Sequence, residues 1–237
     1  IRDLEGLDRY IEVAAGEIPG EVELTEGESR FRTSLSEGQK TGWFFDQAGN
    51  RTRLLPYVKG KRVLDLFSYL GGWGIRSVAG GADSALCVDA SEHALEGVTA
   101  NAELNGVSDK ITTQRGDAFE VLKGLRQANE RFDVVLVDPP AFIKRRKDQK
   151  EGEIAYRRIN QAAMQLLSKD GLLVSSSCSH HMSGGGLLKL INQGARHIDR
   201  SLQLLETGAQ GPDHPVHPAI PETAYLKSFY LRVLPRF

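Results

Sequence analysis

The sequence has 237 residues, enough for one large domain and a small one, and its 40% hydrophobic and 26% charged residues are typical of a globular protein. A net charge of −1 excludes a global basic field, so any contact with RNA or DNA has to rest on a local patch. No apolar run approaches the roughly 20 residues of a membrane span, and the two cysteines, Cys87 and Cys178, have neither the number nor the spacing of a disulfide scaffold or zinc site.

The first residues and the cysteines suggest where the protein is located and whether the chain is complete. No signal-peptide pattern opens the sequence, and a reducing cytoplasm is the expected location. A start at Ile1 instead of Met leaves open that the chain is a fragment of a longer protein.

Residues 1–54 form a block ahead of the regular pattern. Alternating polar and apolar residues over 21–26 and 29–34 predict a hairpin. We therefore expect a small N-terminal α+β extension over 1–54 and a main domain over 55–237.

Three aromatic residues, Trp43, Phe44 and Phe45, follow that hairpin and stand beside polar residues. One interpretation is a buried strand whose polar end is solvated. The other is a lid in which Phe45, Gln47 and Arg51 close over a ligand.

From residue 56 onward strands and helices alternate. The predicted strands cover 62–67, 85–88, 111–114, 132–137 and 171–177, and the predicted helices cover 73–79, 91–104, 119–128, 153–167 and 185–198. Strict alternation of this kind predicts a doubly wound parallel sheet. Two final strands, over 202–206 and 226–234, are joined by a loop without a helix, which favours an antiparallel last strand. The predicted fold class is therefore α/β.

A glycine-rich turn follows the first strand of this pattern. Gly71, Gly72 and Gly74 allow backbone to approach a ligand closely. Dinucleotide folds use G-x-G-x-x-G, but Ser77 stands where the third glycine is needed. S-adenosylmethionine (SAM) has no phosphate and carries an amine, a ribose and a sulfonium, which suits the acidic Asp65 beside the turn. A tight turn without a ligand remains the alternative.

Three more strands end in a carboxylate. Asp89 suits ribose hydroxyls, or it is a solvated or helix-capping aspartate. Asp117 suits an adenine amino group, or it caps the next helix. Asp138 precedes the rigid Pro139-Pro140 pair, with Phe142 nearby, and this corner suits a flat ring held beside a polar group.

A thiol ends the fifth strand. Cys178 is expected to point toward the ligand crevice, where the dipole of the following helix favours thiolate. The alternative is an inert packed cysteine. His180 and His181 follow it and either reach a substrate or cap the loop.

A basic run follows the proline pair. It consists of Lys144, Arg145, Arg146 and Lys147. Such a run is usually a solvated loop, but at the mouth of a crevice it can hold phosphates.

Several of these stretches together resemble the motifs of class I SAM-dependent methyltransferases. They are residues 65–74, Asp89, residues 116–118, residues 138–142 and residues 177–179. The closer resemblance is to the bacterial 23S ribosomal RNA (cytosine-C5) group of the large-subunit methyltransferase I type. Residues 40–47 resemble that group's segment before the fold, and residues 213–215 and 225–227 resemble its C-terminal end. The PUA domain that usually precedes this fold is not visible.

The resemblance implies a Rossmann-like class I methyltransferase sheet, the cofactor SAM and no metal. It implies these cofactor-binding residues: Phe45, Gln47, Arg51, Asp65, Ser68, Tyr69, Gly71, Asp89, Ala90, Asn101, Asp117, Ala118 and Asp138. It implies these substrate- or RNA-binding residues: Pro139, Pro140, Phe142, Lys144, Arg145, Arg146 and Lys147.

The resemblance also implies a reaction and a partner. Cys178 would add to C6 of a cytosine in large-subunit ribosomal RNA, and Asp138 would hold the N3/N4 edge of that base. The base that removes the C5 proton is not identified, and whether the chain forms a homodimer stays open. The alternatives are methyl transfer to another RNA base, a small molecule or a protein, or an RNA-binding module without catalysis.

Overall fold

The structure, a computed structural model, describes residue 13 and residues 15–36 and 42–236. Lys40 and Thr41, part of the segment that carries the resemblance, lie outside the described residues. The strands and helices in chain order are β1 (Val22–Glu26), β2 (Ser29–Thr33), α1 (Ala48–Leu54), β3 (Arg62–Leu66), α2 (Gly72–Ala79), β4 (Ser84–Asp89), α3 (Glu92–Leu104), β5 (Ile111–Arg115), α4 (Ala118–Gln127), β6 (Phe132–Val137), α5 (Gln149–Gln165), β7 (Leu167–Ser177), α6 (Gly184–Arg196), β8 (Arg200–Gly208) and β9 (Lys227–Pro235).

A seven-stranded sheet in the order β5-β4-β3-β6-β7-β9-β8 organises the molecule. The strands from β5 to β7 are parallel, and β9 is antiparallel to both of its neighbours. The predicted α/β fold with a mostly parallel sheet and an antiparallel last strand is confirmed. The chain reverses its direction of progress across the sheet between β3 and β6, and α/β sheets bind ligands at such a switch point.

The central strands are buried on both faces. In β3, Val63 packs with Trp73 and Val78 on one face, while Leu64 belongs to the core cluster on the other face, with Tyr156 and Ile159. Neighbouring residues thus contribute to opposite cores, which explains the continuous apolar runs of these strands. The helices α4, α5 and α6 cover one face of the sheet, and α1 and α2 lie on the other.

The aromatic segment after the hairpin is not a strand. Trp43 packs on Phe31 of β2 with ring centroids 4.5 Å apart, and the chain then forms a 3-10 turn over Phe45–Gln47 that continues into α1. The buried-strand interpretation is wrong, because the Gln47 N–H bonds to Phe44 O (3.2 Å) and closes a turn instead of joining a ladder. Two other boundaries also differ from prediction, since α5 begins at Gln149 and β7 at Leu167.

The hairpin β1–β2 docks on α3 through two asparagines one helical turn apart. The Arg32 N–H donates to Asn101 Oδ1 (2.7 Å), and the Arg30 N–H donates to Asn105 Oδ1 (2.9 Å). Asn105 also donates to Arg30 O (2.6 Å). These amides pair with the free edge of β2 as a neighbouring strand would. The predicted boundary at residue 54 stays a prediction.

Candidate active site

A cavity of about 610 Å³ opens at the carboxyl edge of the sheet. Its lining takes residues from the ends of the five adjacent parallel strands, together with residues of the 43–51 segment and Leu226. The volume lies within the roughly 300–1,000 Å³ of small-molecule sites. The predicted site residues that line it are Gln47, Arg51, Ser68, Tyr69, Asp89, Ala90, Asp117, Ala118, Asp138, Pro139, Pro140 and Cys178.

The turn after β3 shapes the floor of this cavity. Phe67 and Tyr69 have positive φ angles of 61° and 49°, and Gly71 has a φ of 83°. Two non-glycine residues in this region indicate local strain, which tends to be kept at functional sites. A Cβ on Gly71 would lie 2.8 Å from Ile75 Cδ1, so both the angle and the close contact favour glycine there. Gly71 itself does not line the cavity.

Asp89 ties the turn to the end of β4. Its Oδ2 accepts from the Tyr69 N–H (2.9 Å), and its Oδ1 accepts from the Ser91 N–H (2.9 Å). Ser91 caps α3 as predicted, because its hydroxyl accepts from the Ala94 N–H (3.2 Å). The Asp89 carboxylate is thereby oriented from two sides at the cavity wall.

Asp117 caps the helix after β5, which was one of its two predicted roles, and it also lies at the cavity. Its Oδ1 accepts from the N–H groups of Phe119 (2.9 Å) and Glu120 (3.3 Å), so it is the N-cap of α4. The same residue lines the cavity. Both capping bonds are accepted by Oδ1, so Oδ2 is not used for capping.

Asp138 is held by donors from distant parts of the chain. Gln47 Nε2 lies 2.9 Å from each carboxylate oxygen, and Trp73 Nε1 donates to Oδ2 (3.0 Å). Asn50 Nδ2 donates to Gln47 Oε1 (2.6 Å) and orients that amide. Burial raises the pKa of Asp138 above its usual value, and the bond from Trp73 and the charge of Arg51 only partly offset this.

Asp65 lies beneath the turn and is fully buried. Its Oδ2 accepts from the Gly74 N–H (2.9 Å) at the start of α2. Burial raises its pKa to about 8, and the carboxylates of Asp138 and Asp89 act in the same direction. Asp65 does not line the cavity. We expected it to lie directly beside the ligand, and the structure places it beneath the turn instead.

Cys178 stands at the end of β7, half-buried and facing the cavity. Before it, Ser177 Oγ lies 2.8 Å from the Tyr156 hydroxyl of α5, and after it Ser179 donates to Ile143 O (2.6 Å). These bonds hold the chain on both sides of the thiol. The other cysteine, Cys87, is fully buried in β4, and burial raises the pKa of its thiol.

Other predicted site residues lie away from the cavity. Phe45 is 41% exposed, and its neighbour Phe44 lines the cavity instead. Asn101 is buried against β2, where it also donates to Leu70 O (3.3 Å). Phe142 packs on Tyr156 with ring centroids 4.8 Å apart and is absent from the lining, so the geometry does not favour its stacking on a ligand.

The basic run is exposed and outside the cavity lining. It comprises Lys144, Arg145, Arg146 and Lys147. Arg145 pairs with Asp148 at 3.0 Å, within the short turn before α5. The run therefore lies on the loop that leaves the Pro139-Pro140 corner.

A buried ion cluster fixes the segment over the cavity, and sequence patterns did not indicate it. Glu26, at the end of β1, accepts from Arg51 (2.7 and 2.6 Å) and from Arg76 (2.8 Å). It also accepts from Trp43 Nε1 (3.1 Å), and Arg51 donates to Phe44 O (2.8 Å). The hairpin, α1 and α2 are thus joined behind the aromatic residues of the cavity. An acidic residue at a hairpin turn carries no sequence signal of such burial.

Two further findings concern the described residues alone. No helix among them is long and apolar enough to cross a membrane. Within the same ranges, no three His, Cys, Asp or Glu side chains gather as metal ligands would.

Comparison with known proteins identifies the family of this chain. The model of the S-adenosylmethionine-dependent methyltransferase family matches residues 6–232. The Ribosomal RNA large subunit methyltransferase I of Aeromonas salmonicida (strain A449) is 39% identical over 235 residues, which are 98% of this chain and 59% of that protein. The protein of the same name from Erwinia tasmaniensis is 35% identical over 236 residues, or 99% and 60% of the two chains. The chain thus spans about 60% of the length of these relatives.

Solved structures share the fold. A crystal structure of SMU.776 complexed with SAH matches with a TM-score of 0.83 and 25% identity, over 93% of this chain and 58% of that one. The M. jannaschii tRNA m1G37 methyltransferase matches with a TM-score of 0.69 and 18% identity, over 95% and 60% of the two chains. At that identity the second likeness describes the fold alone.

Proposed function

Because the chain belongs to the S-adenosylmethionine-dependent methyltransferase family, we propose that it methylates C5 of a cytosine in large-subunit ribosomal RNA through a covalent bond to Cys178. The names of the relatives from Aeromonas salmonicida and Erwinia tasmaniensis support the ribosomal RNA. A cytoplasmic location, where ribosomes work, is part of the proposal. One observation carries the choice of base: a half-buried thiol shares its cavity with the Asp138-Pro139-Pro140 corner and with the glycine turn.

The residues around the glycine turn fit SAM. Ser68 Oγ is buried at the cavity wall, and among the described residues no partner satisfies it, so it can bond to a polar ligand. Asp89 is oriented to accept from ribose hydroxyls. Asp117 Oδ2 is the oxygen expected to accept from the adenine amino group, because Oδ1 caps α4. When bound, SAM supplies an electrophilic methyl group on a sulfonium and departs as a neutral thioether.

The role of Cys178 follows from the electronic structure of cytosine. C5 is a poor nucleophile, but a thiolate that adds to C6 converts the ring into an enamine that is nucleophilic at C5. After methylation, a base takes the C5 proton, the electron pair of that C–H bond restores the ring double bond, and the C6–S bond breaks to return the thiolate. Each turnover therefore leaves Cys178 unchanged.

Asp138 is proposed to hold the N3/N4 edge of the base. A neutral carboxylic acid donates to N3 with its proton and accepts from the N4 amino group with its other oxygen. Burial raises the pKa of Asp138, which favours that protonated form. Since Gln47 contacts both oxygens, its amide has to move from at least one of them when the base enters.

The test compares ribosomal RNA made with and without the full-length protein. We expect one 5-methylcytosine to appear only with the protein, and Cys178→Ala to abolish it while SAM affinity stays near that of the parent. Cys87→Ala is the matched control and is expected to keep activity, because Cys87 is buried in β4. Methylation of a guanine or of an exocyclic amine would overturn the choice of cytosine C5.

The covalent step has a separate test. With RNA that carries 5-fluorocytosine, the reaction should stop as an adduct, because fluorine at C5 cannot leave as a proton does. Peptide mass is expected to locate the RNA on Cys178. Near-normal turnover by Cys178→Ala would contradict the covalent mechanism.

A further inference from the structure

Lys227 reaches the backbone next to Cys178 although it is distant in the sequence. It opens β9, and in the antiparallel pairing of β7 with β9 it stands opposite Ser177, the residue before Cys178. Its Nζ donates to Ser179 O (2.5 Å) and to Tyr225 O (2.8 Å). The ammonium is thus bonded to the residue that follows Cys178 and, at its second acceptor, to the segment that leads into β9.

The hydrogen bonds of Lys227 favour its charged form. An ammonium has three protons to donate, and two backbone carbonyls accept two of them. Burial lowers the pKa of Lys227 below its usual value, while the charge of Cys178 raises it. The bond to Ser179 O holds the ammonium at the residue that follows Cys178.

Other titratable groups near Cys178 come from several elements. The Tyr156 hydroxyl of α5 is bonded to Ser177, and the Tyr225 hydroxyl donates to Asp46 (2.6 Å). Burial raises the pKa of both phenols, and Cys178 adds to this, so both stay neutral. Asp138 lines the same cavity, and His180 and His181 follow the thiol on its own loop.

We propose that the Lys227 ammonium stabilises the thiolate of Cys178 and so keeps this cysteine reactive near neutral pH. The inference rests on the proposed function, in which Cys178 is the nucleophile. Lys227 acts through the sulfur and is therefore a positioning residue. An ordinary thiol is only a few per cent ionised at about pH 7, and a neighbouring fixed cation is a common way to raise that fraction.

The experiment measures the thiol directly, without RNA. The rate of alkylation of each cysteine by iodoacetamide is followed between about pH 5 and pH 10 by peptide mass, in the full-length protein. We expect the ionisation midpoint of Cys178 to rise by about one pH unit in Lys227→Met and to stay near the parent in Lys227→Arg. Lys189→Met, which removes an exposed lysine of α6, is the charge control and should change nothing.

Cys87 reports on folding in the same sample. It is fully buried, so it should stay unmodified in every folded variant. If Cys87 becomes modified in Lys227→Met, that variant is misfolded, and the midpoint of Cys178 is then measured in Lys227→Gln, which keeps a hydrogen-bond donor but has no charge. An unchanged Cys178 midpoint in the folded neutral variant would overturn the proposal.

The pH profile of methyl transfer gives a second readout. Lys227→Met should lose most of its rate at about pH 6 and recover at about pH 9, where the thiol ionises unaided, and Lys227→Arg should restore the acid limb. An effect on KM for RNA alone, with no change of profile, would assign Lys227 to RNA binding and overturn the proposal. If the RNA carries no 5-methylcytosine but the thiol midpoint shifts, the proposed function fails and the Lys227–Cys178 pair stands.

Discussion

The carboxylate of Glu26 is expected to be a main determinant of both stability and cofactor affinity. It is 8% exposed and accepts from two arginines and a tryptophan that come from separate elements. We predict that Glu26→Gln, which keeps the shape but removes the charge, leaves Arg51 and Arg76 as buried cations without a counter-ion.

The size of the effect follows from the burial of the cluster. Removing one partner of a buried ion pair costs about 3–5 kcal/mol, because the remaining charge stays desolvated. For a chain of this size, about 1 kcal/mol corresponds to about 2–4 °C in Tm, so we expect a loss of about 6–20 °C. Since Arg51 and Trp43 line the cavity, SAM affinity should fall as well.

The pKa of Glu26 predicts how the loss of stability in Glu26→Gln changes with pH. Burial raises the pKa of Glu26, but the bonds and charge of Arg51, with those of Arg76 and Trp43, outweigh it and leave the pKa below its usual value. A lowered carboxyl pKa contributes stability at neutral pH that is lost as the pH falls through the folded value. The difference in Tm between parent and variant should therefore shrink below about pH 4.5.

Thermal unfolding and calorimetry of SAM binding test this reasoning. Glu23→Gln is the matched control, because Glu23 lies on the same strand but pairs with Arg30 and Arg32 at 3.5 and 3.4 Å in an exposed position. It should change stability by less than about 1 kcal/mol. If Glu26→Gln lowers Tm no more than Glu23→Gln, the buried cluster does not stabilise the fold as argued.

Three further predictions concern the site and its surroundings. Asp89→Ala should weaken SAM binding by about 1–3 kcal/mol in calorimetry, as for a lost charge-assisted hydrogen bond, and an unchanged affinity would remove Asp89 from the site. Replacing all four basic residues of 144–147 by glutamine should weaken RNA binding and flatten its salt dependence; a salt slope equal to that of the parent would show a solvated loop. Asp65→Asn should gain stability relative to the parent as the pH rises from about 5 to about 8, because the raised pKa of Asp65 makes its ionisation in the folded state unfavourable. A stability difference that stays constant over this range would contradict that assignment.

The carboxyl edge of the sheet could be predicted from the sequence because it depends on local patterns. Apolar runs, glycines and helix caps specify parallel strands, and parallel strands bring their ends to one edge. Asp89, Asp117, Asp138 and Cys178 each follow such a run, and the structure brings them into one cavity. Knowledge of each side chain's neighbours was not needed for that step.

What each side chain does at that edge was decided by contacts between distant parts of the chain. Gln47 and Asp138 are 91 positions apart, and Tyr225 and Asp46 are 179 apart. Nothing near Asn101 in the sequence shows that it faces β2 instead of the cavity.

Burial and strand pairing, which the sequence does not show, determined the surroundings of three charged residues. The sequence shows that residues 26 and 65 are acidic, but not that both are enclosed, nor that one meets two arginines and the other a backbone N–H. Likewise the register of β9 against β7, set by pairing across a long loop, puts Lys227 opposite Ser177, the residue before Cys178. The sequence therefore determined locally which charged and reactive side chains lie at the site. Tertiary packing determined their hydrogen-bond partners, their ionisation and their access to the cavity, because these three properties depend on which groups exclude water from one another.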